Sequence, residues 1–330
     1  MSAIGTALGP SLGGVLIAGL GWRSIFLTNV PLGALAFLLA YRYLPADGPA
    51  SQTGRLRFDP MGTIVLALTL AAYALAMTIG HGRFGSLNIA LVMAAVFGLG
   101  LFALVETKTA SPLIRLTMFR DPLLSGGLAM SMLVSTVLMA TLVVGPFYLC
   151  GALGLDTARV GLVVSVGPVV VALTGVPAGQ LVDRFGAQRI TIIGLIGIAA
   201  GCLFLALLAA TSGIPGYVAA IVVITTGYAL FQTANNTAVM KDIAQNRRGA
   251  ISGMLNLSRN LGLITGASVM GAVFALTSGA SDITTASPAA VVTGMQITFM
   301  VATLLITVAL AFAVVGRALA TRTSPSKSAR

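Results

Sequence analysis

One pattern dominates this sequence: a run of apolar residues that recurs along the whole chain, each about as long as the roughly 20 residues that cross a ~30 Å hydrocarbon layer as a helix. The runs fall at 2–20, 25–44, 61–80, 87–105, 123–149, 160–182, 190–211, 215–237, 250–276 and 291–316. They are continuously apolar, whereas strands of a lipid-facing barrel alternate polar and apolar residues in short segments. About ten transmembrane helices are therefore expected. Only 8% of the residues are charged, well short of the quarter or so that a soluble domain carries, and mean hydropathy is +1.00. The expected fold class is an all-α, polytopic membrane helical bundle, with the lipid bilayer as its main solvent.

The net charge of +11 does not point to nucleic acid, because the basic residues stand singly or in pairs between apolar runs rather than in one block. Membrane topology accounts for them better. When successive loops are placed on alternating faces, fifteen of the 19 Lys and Arg fall on one face. Arg23, Arg83 and Arg159 fall on the other, and Arg259 lies within a helix. Positive charge marks cytoplasmic loops, so both termini are expected in the cytoplasm and the chain in a bacterial-type inner membrane. The two cysteines, Cys150 and Cys202, lie in apolar runs and make no disulfide framework. The first residues lack a basic n-region and a cleavage site, so they read as a membrane segment rather than a signal peptide. Asp59-Pro60 and Asp121-Pro122 each read as an N-cap followed by proline at the first helical position. The tail TRTSPSKSAR reads as a disordered basic topology anchor.

Polar and small residues within the runs are where mechanism is to be sought. Gly5, Gly9 and Gly13 lie four residues apart, a stripe that admits a neighbouring backbone, and Pro10 bends the same helix beside Gly14. Ordinary helix packing would use the same stripe. The continuation, Trp22-Arg23, Phe26, Asn29, Pro31 and Gly33, is less generic. Together the stretch GTALGPSLGGVLIAGLGWRSIFLTNVPLG resembles the fifth-helix antiporter motif, and the helix after it, of the fourteen-span drug:proton antiporters in the major facilitator superfamily. A second signature, Gly179-Gln-Leu-Val-Asp183-Arg184-Phe-Gly186-Ala-Gln-Arg189, is similar to the superfamily's cytoplasmic gating loop in its second-half copy. Read physically, Asp183 is placed to pair with Arg184 or Arg189, or to face the positive end of a neighbouring helix. A tight turn whose charges fix topology is the other reading.

Ser252, Asn256, Arg259 and Asn260 are spaced to share one face of the ninth run. A guanidinium there is costly unless it faces a bundle interior or water, although snorkelling toward the cytoplasm is an alternative. Gln232, Asn235 and Asn236 form a second polar patch in the eighth run. These five, Gln232, Asn235, Asn236, Asn256 and Arg259, are the candidate substrate-cavity residues. Tyr148, beside Gly145-Pro146, reads as part of an aromatic belt rather than a vestibule. All eight acids flank the runs, so no intramembrane carboxylate is expected. The lone His81 has no partners at metal spacing, and no serine or cysteine nucleophile has a base nearby in sequence. Neither a metal, a cofactor nor an enzyme activity is expected. The glycine run GLIGIAAG follows no strand and is not a dinucleotide fingerprint.

The resemblance implies ten helices equivalent to the fifth through fourteenth of the family, with four upstream helices absent. It implies that 1–44 holds the last two helices of a first bundle. On the same alignment 45–121 holds cytoplasmic loops and an extra central pair, 122–317 a complete six-helix second bundle, and 318–330 a basic tail. The implied activity is export of small hydrophobic or cationic compounds by alternating access, with the proton gradient as energy source and no obligate protein partner. A metabolite facilitator, and a non-transporting scaffold or fragment, are the alternatives.

Overall fold

The computed structural model describes residues 16, 21, 23–43, 59–79, 85–109, 112–241, 243–244, 247–278 and 287–322. The antiporter-motif residues Gly5, Gly9, Pro10, Gly13 and Gly14, the first expected span apart from Leu16, and His81 lie outside them. The described chain is helical throughout its ordered elements. Helix α1 covers Arg23–Tyr43, α2 Pro60–Thr78 and α3 Ser86–Lys108. A short 3-10 turn at Leu116–Arg120 leads into α4, Pro122–Gly151, which is followed by α5, Thr157–Phe185. Next come α6, Ala187–Leu207, and α7, Ser212–Met240, a continuous helical stretch broken at Gly213 with φ +56°. Only glycine adopts that backbone readily. Helix α8 runs over Arg248–Thr277, and α9 over Pro288–Arg322.

Eight of these helices, α2 through α9, are long and apolar enough to cross a membrane. In α1, every residue from Phe26 to Tyr43 is exposed on the isolated chain, an apolar surface suited to hydrocarbon rather than water. The helix starts are chemically explicit. Asp59 Oδ1 accepts from the Gly62 N–H at 2.9 Å, Asp121 Oδ1 from Leu123 N–H at 2.9 Å, and Asp156 Oδ1 from Arg159 N–H at 2.8 Å. Each satisfies a first-turn donor that has no partner within its helix. At the other end of the chain, α9 continues to Arg322, beyond the expected boundary at 317. Its backbone bonds are intrahelical there, so the basic tail begins as helix rather than as coil.

The core sits in the six helices α4 to α9, centred on Tyr148, Tyr217, Leu195, Ile198, Phe274 and Phe299. Glycines set its closest approaches. A Cβ on Gly194 of α6 would lie 2.6 Å from Phe231 N and 2.7 Å from Gly227 O of α7, so the two backbones touch directly. Gly194, Gly197 and Gly201, the glycine run dismissed above as a nucleotide motif, all lie on this seam. Gly262 and Gly266 of α8 meet the Met132 and Thr136 carbonyls of α4 in the same manner. The hydroxyl of Thr136 adds a 3.0 Å bond to the Gly262 carbonyl, and that of Ser258 a 2.6 Å bond to Leu128 O.

Two expectations change. Tyr148 is not in an interfacial belt: it is 1% exposed and stacks on Tyr217 with ring centroids 5.9 Å apart. Gly145 makes that pairing possible, since a side chain there would occupy the place of the Tyr217 hydroxyl. Glu106, expected outside the spans, lies within the last turn of α3 and is buried at 4% exposure. Helix α3 runs three residues past the apolar run, and the Glu106 carboxylate in its last turn accepts from the Ile114 N–H of the segment that follows.

Candidate functional site

The polar residues singled out in the sequence converge. Gln232, Asn235 and Asn236 of α7 and Asn256 and Arg259 of α8 all line one cavity of about 120 Å³, with Ser131 and Ser135 of α4 opposite. Their helical spacing explains it, since 232, 235 and 236 share one face of α7 while 252, 256 and 259 share one face of α8. Asn260 does not belong: it is exposed and lines neither this cavity nor the next. It falls a turn's edge away from the stripe that Ser252, Asn256 and Arg259 define.

A second, larger cavity of about 380 Å³ adjoins the first and shares Tyr228, Gln232 and Arg259 with it. Its further walls are apolar, built from Leu138 and Leu142 of α4, Val164 and Val171 of α5, and Ile221 of α7. The two spaces follow one another along α4, from Ser131 and Ser135 to Leu138 and Leu142. A polar chamber thus opens into an apolar one, with Arg259 at the junction. Among the described residues Arg259 is the one charged side chain lining either space. It is half-buried rather than snorkelled into solvent.

The five candidates are not equivalent. Asn235 is 3% exposed, and its Nδ2 donates to the Gly127 carbonyl of α4 at 3.1 Å. That amide fastens α7 to α4 and is committed to the fold. Asn256 is exposed to the cavity, and its Nδ2 donates only to Ser252 O of its own helix, at 3.1 Å. Gln232 and Arg259 show no hydrogen bond to protein among the described residues and are open to a guest. Tyr228, Ser131, Ser135 and Phe231 were not anticipated. Tyr228 stands one turn before Gln232, and Ser131 and Ser135 are one turn apart, so the i, i+4 rule applied to every polar residue would have found them. Beside Leu263 on the second cavity's wall, α8 passes through a π-helical turn at Gly266–Met270, a local widening frequently found next to functional sites.

The gating-loop residues occupy the turn between α5 and α6. Gly179 lies in α5, Asp183 and Arg184 in its last turn, Gly186 caps it at φ +85°, and Arg189 opens α6. Asp183, Arg184 and Arg189 are all exposed. Asp183 forms no ion pair among the described residues, where Arg159–Asp156 is the one pair present. Arg184 instead lies over its neighbour's ring, 5.2 Å from the Phe185 centroid. Among the described residues no group of three His, Cys, Asp or Glu is arranged to hold a metal.

Comparison with known proteins identifies the family. Over 271 residues the chain is 31% identical to the uncharacterized transporter YebQ of Escherichia coli, covering 81% of this chain and 58% of that protein. It is 30% identical over 285 residues to the multidrug resistance protein Stp of Mycobacterium tuberculosis, covering 83% and 51%. The riboflavin transporter RibZ of Clostridioides difficile is 28% identical over 272 residues, covering 82% and 58%. The chain thus spans a little over half the length of these relatives. Residues 1–267 match the family description Major Facilitator Superfamily, and the chain belongs to that superfamily.

Proposed function

We propose that this protein carries small, largely hydrophobic molecules outward across a bacterial-type inner membrane by alternating access, in exchange for protons, with both termini cytoplasmic. The observation that carries the reading is the pair of adjoining cavities joined at Tyr228, Gln232 and Arg259. Ligand sites of this kind are mostly apolar, with a few polar groups that fix orientation. The names of relatives, multidrug resistance protein Stp and the multidrug efflux pump LfrA of Mycolicibacterium smegmatis among them, support export of such compounds. Among the described residues no acid lines either cavity, so this wall favours neutral or acceptor-bearing compounds over cations. Arg259 would face the acceptor end of the guest and the α5 wall its apolar body. The exposure of Asp183, Arg184 and Arg189 supports reading this turn as an inner gate that closes against another part of the transporter.

The test is dye efflux from cells expressing the protein, at matched levels in the membrane. Arg259→Gln is expected to lower efflux about tenfold, the loss of one charge-assisted hydrogen bond. Asp183→Asn is expected to slow efflux while leaving dye binding to purified protein unchanged. Efflux indifferent to both substitutions, or continuing at full rate after an uncoupler, overturns the reading.

A further inference from the structure

Asp59 and Glu106 lie outside both cavities, where α2 begins and α3 ends. They are 7% and 4% exposed. Each carboxylate has one oxygen held by the backbone: Asp59 Oδ1 by the Gly62 N–H at 2.9 Å, and Glu106 Oε2 by the Ile114 N–H at 3.4 Å. The other two oxygens, Asp59 Oδ2 and Glu106 Oε1, are buried and have no hydrogen-bond partner among the described residues. Both lie within 3.0 Å of the point that a Cβ on Gly62 would occupy. Gly62 therefore keeps open the small space into which both oxygens are aimed.

Two ionised carboxylates so placed repel each other and have no water to screen them. Among the described residues, the charged groups on the surrounding elements offer no relief; Arg55 and Arg57 lie outside the described residues. Lys108 on α3, Arg115, Arg120 and Asp121 in the segment after it, and Arg248 on α8 are all exposed. Arg259 of α8 faces the cavities, and none of these pairs with either carboxylate among the described residues. Among the described residues nothing offsets the pair, and a cation held between the two oxygens would supply the compensation. A hard metal ion takes six or more oxygens, waters included, whereas these two oxygens have essentially no accessible surface and two carboxylates are all that the described residues provide here. A proton needs only the two oxygens present.

We propose that Glu106 is protonated in the folded protein and donates its O–H to Asp59 Oδ2, so that the junction of α2 and α3 is a one-proton binding site. The consequence reaches beyond the pair. The same Glu106 side chain holds the Ile114 N–H, and Ile114 and Met118 pack on the cluster of Leu124, Val239, Ile251, Met254 and Leu255 at the ends of α4, α7 and α8. The proton thus fastens the α2–α3 pair to the segment that docks on the six-helix block. Its loss sets two anions against each other beneath that segment and loosens the dock. The site stands apart from the transport cavities, and its test does not require transport.

Infrared spectroscopy of the full chain in lipid vesicles provides the test. A protonated carboxyl shows a C=O band, shifted in D₂O, that exposed carboxyls do not give at neutral pH. The expected result is one such band in the unsubstituted protein, absent in Glu106→Gln and moved to a new frequency in Asp59→Asn, which changes the acceptor. No band, a band that survives Glu106→Gln unchanged, or a band that added Na⁺ or Ca²⁺ removes at constant pH overturns the proposal. Should Glu106→Gln fail to fold, the Asp59→Asn band decides: a moved frequency supports the site and an unmoved one refutes it.

Discussion

The six-helix block α4–α9 and the α2–α3 hairpin are both made of apolar helices, yet they are held together by different means. In the block, helices meet backbone to backbone along glycine seams, as at Gly194 against Gly227 O and Phe231 N. In the hairpin, the close approach at Gly98 is to the side chain of Thr69, whose Cβ would lie 3.2 Å from an added Cβ. The hairpin relies on polar clasps at its ends. Asn88, 4% exposed, donates to the Ala76 and Ile79 carbonyls and accepts from the Gly85 N–H, joining the end of α2 to the start of α3. The carboxyl pair occupies the opposite end. Lipid tails are as apolar as leucine, so burying apolar surface does little to press membrane helices together. A large block solves this with close van der Waals contact over many residues, whereas a two-helix unit has too little contact area and uses hydrogen bonds.

The largest effect is expected where this difference is sharpest. Gly194→Leu has no room to relax, because the atoms it meets are the Phe231 nitrogen and the Gly227 oxygen rather than a mobile side chain. We expect a loss of about 3 kcal/mol or more, as for overpacking into an unyielding wall. Gly175→Leu, at a position on α5 with nothing within 4 Å of an added Cβ, is expected to leave stability nearly unchanged. Thermal unfolding in matched detergent measures both. An equal effect at the two positions would show that the close approach at Gly194 does not set the packing of this seam.

The same contrast explains what could be read from the sequence. The membrane spans were legible because the bilayer dictates their length and composition, and the Asp59 and Asp121 caps because capping is local chemistry, whereas the Asp156 cap, with no proline after it, went unread. The convergence of Gln232, Asn235, Asn236, Asn256 and Arg259 was legible through helical periodicity. Periodicity gives the face of a helix but not the partner on the other side. It could not separate Asn235, bonded to Gly127 O, from Asn256, which bonds only within its own helix. Tyr148 was misjudged for the same reason: its burial depends on Tyr217, far along the chain and admitted by Gly145. Glu106 looked like a loop residue because the apolar run stops before it, while the helix continues under cover of Ile114. Asn88 carried no signal at all, since one asparagine at a helix start reads as an ordinary solvated residue.

A smaller, more local effect is expected from Asn88→Leu. It removes three hydrogen bonds and leaves the Ala76 and Ile79 carbonyls and the Gly85 N–H without that partner. The expected cost is about 2 kcal/mol, that of leaving buried polar groups unsatisfied. If the hairpin is a separate unit held by its clasps, the cost should appear as faster amide exchange through α2 and α3, with α6 and α7 unaffected. Uniform acceleration across all helices would mean that hairpin and block unfold together, and the division drawn between them would fail.

The smallest effect tests the joint between the two regions. The hydroxyls of Tyr73 on α2 and Thr265 on α8 share a hydrogen bond, a direct polar link between hairpin and block. Double-mutant cycles across membrane helices average about 0.6 kcal/mol per such bond. Tyr73→Phe, Thr265→Val and the pair together should therefore give a coupling near ~0.6 kcal/mol in unfolding measurements. A value of that size assigns part of the docking to this bond. A value of zero would leave the Ile114 segment, and the carboxyl pair that holds its amide, as the remaining polar route by which the hairpin is coupled to the six-helix block.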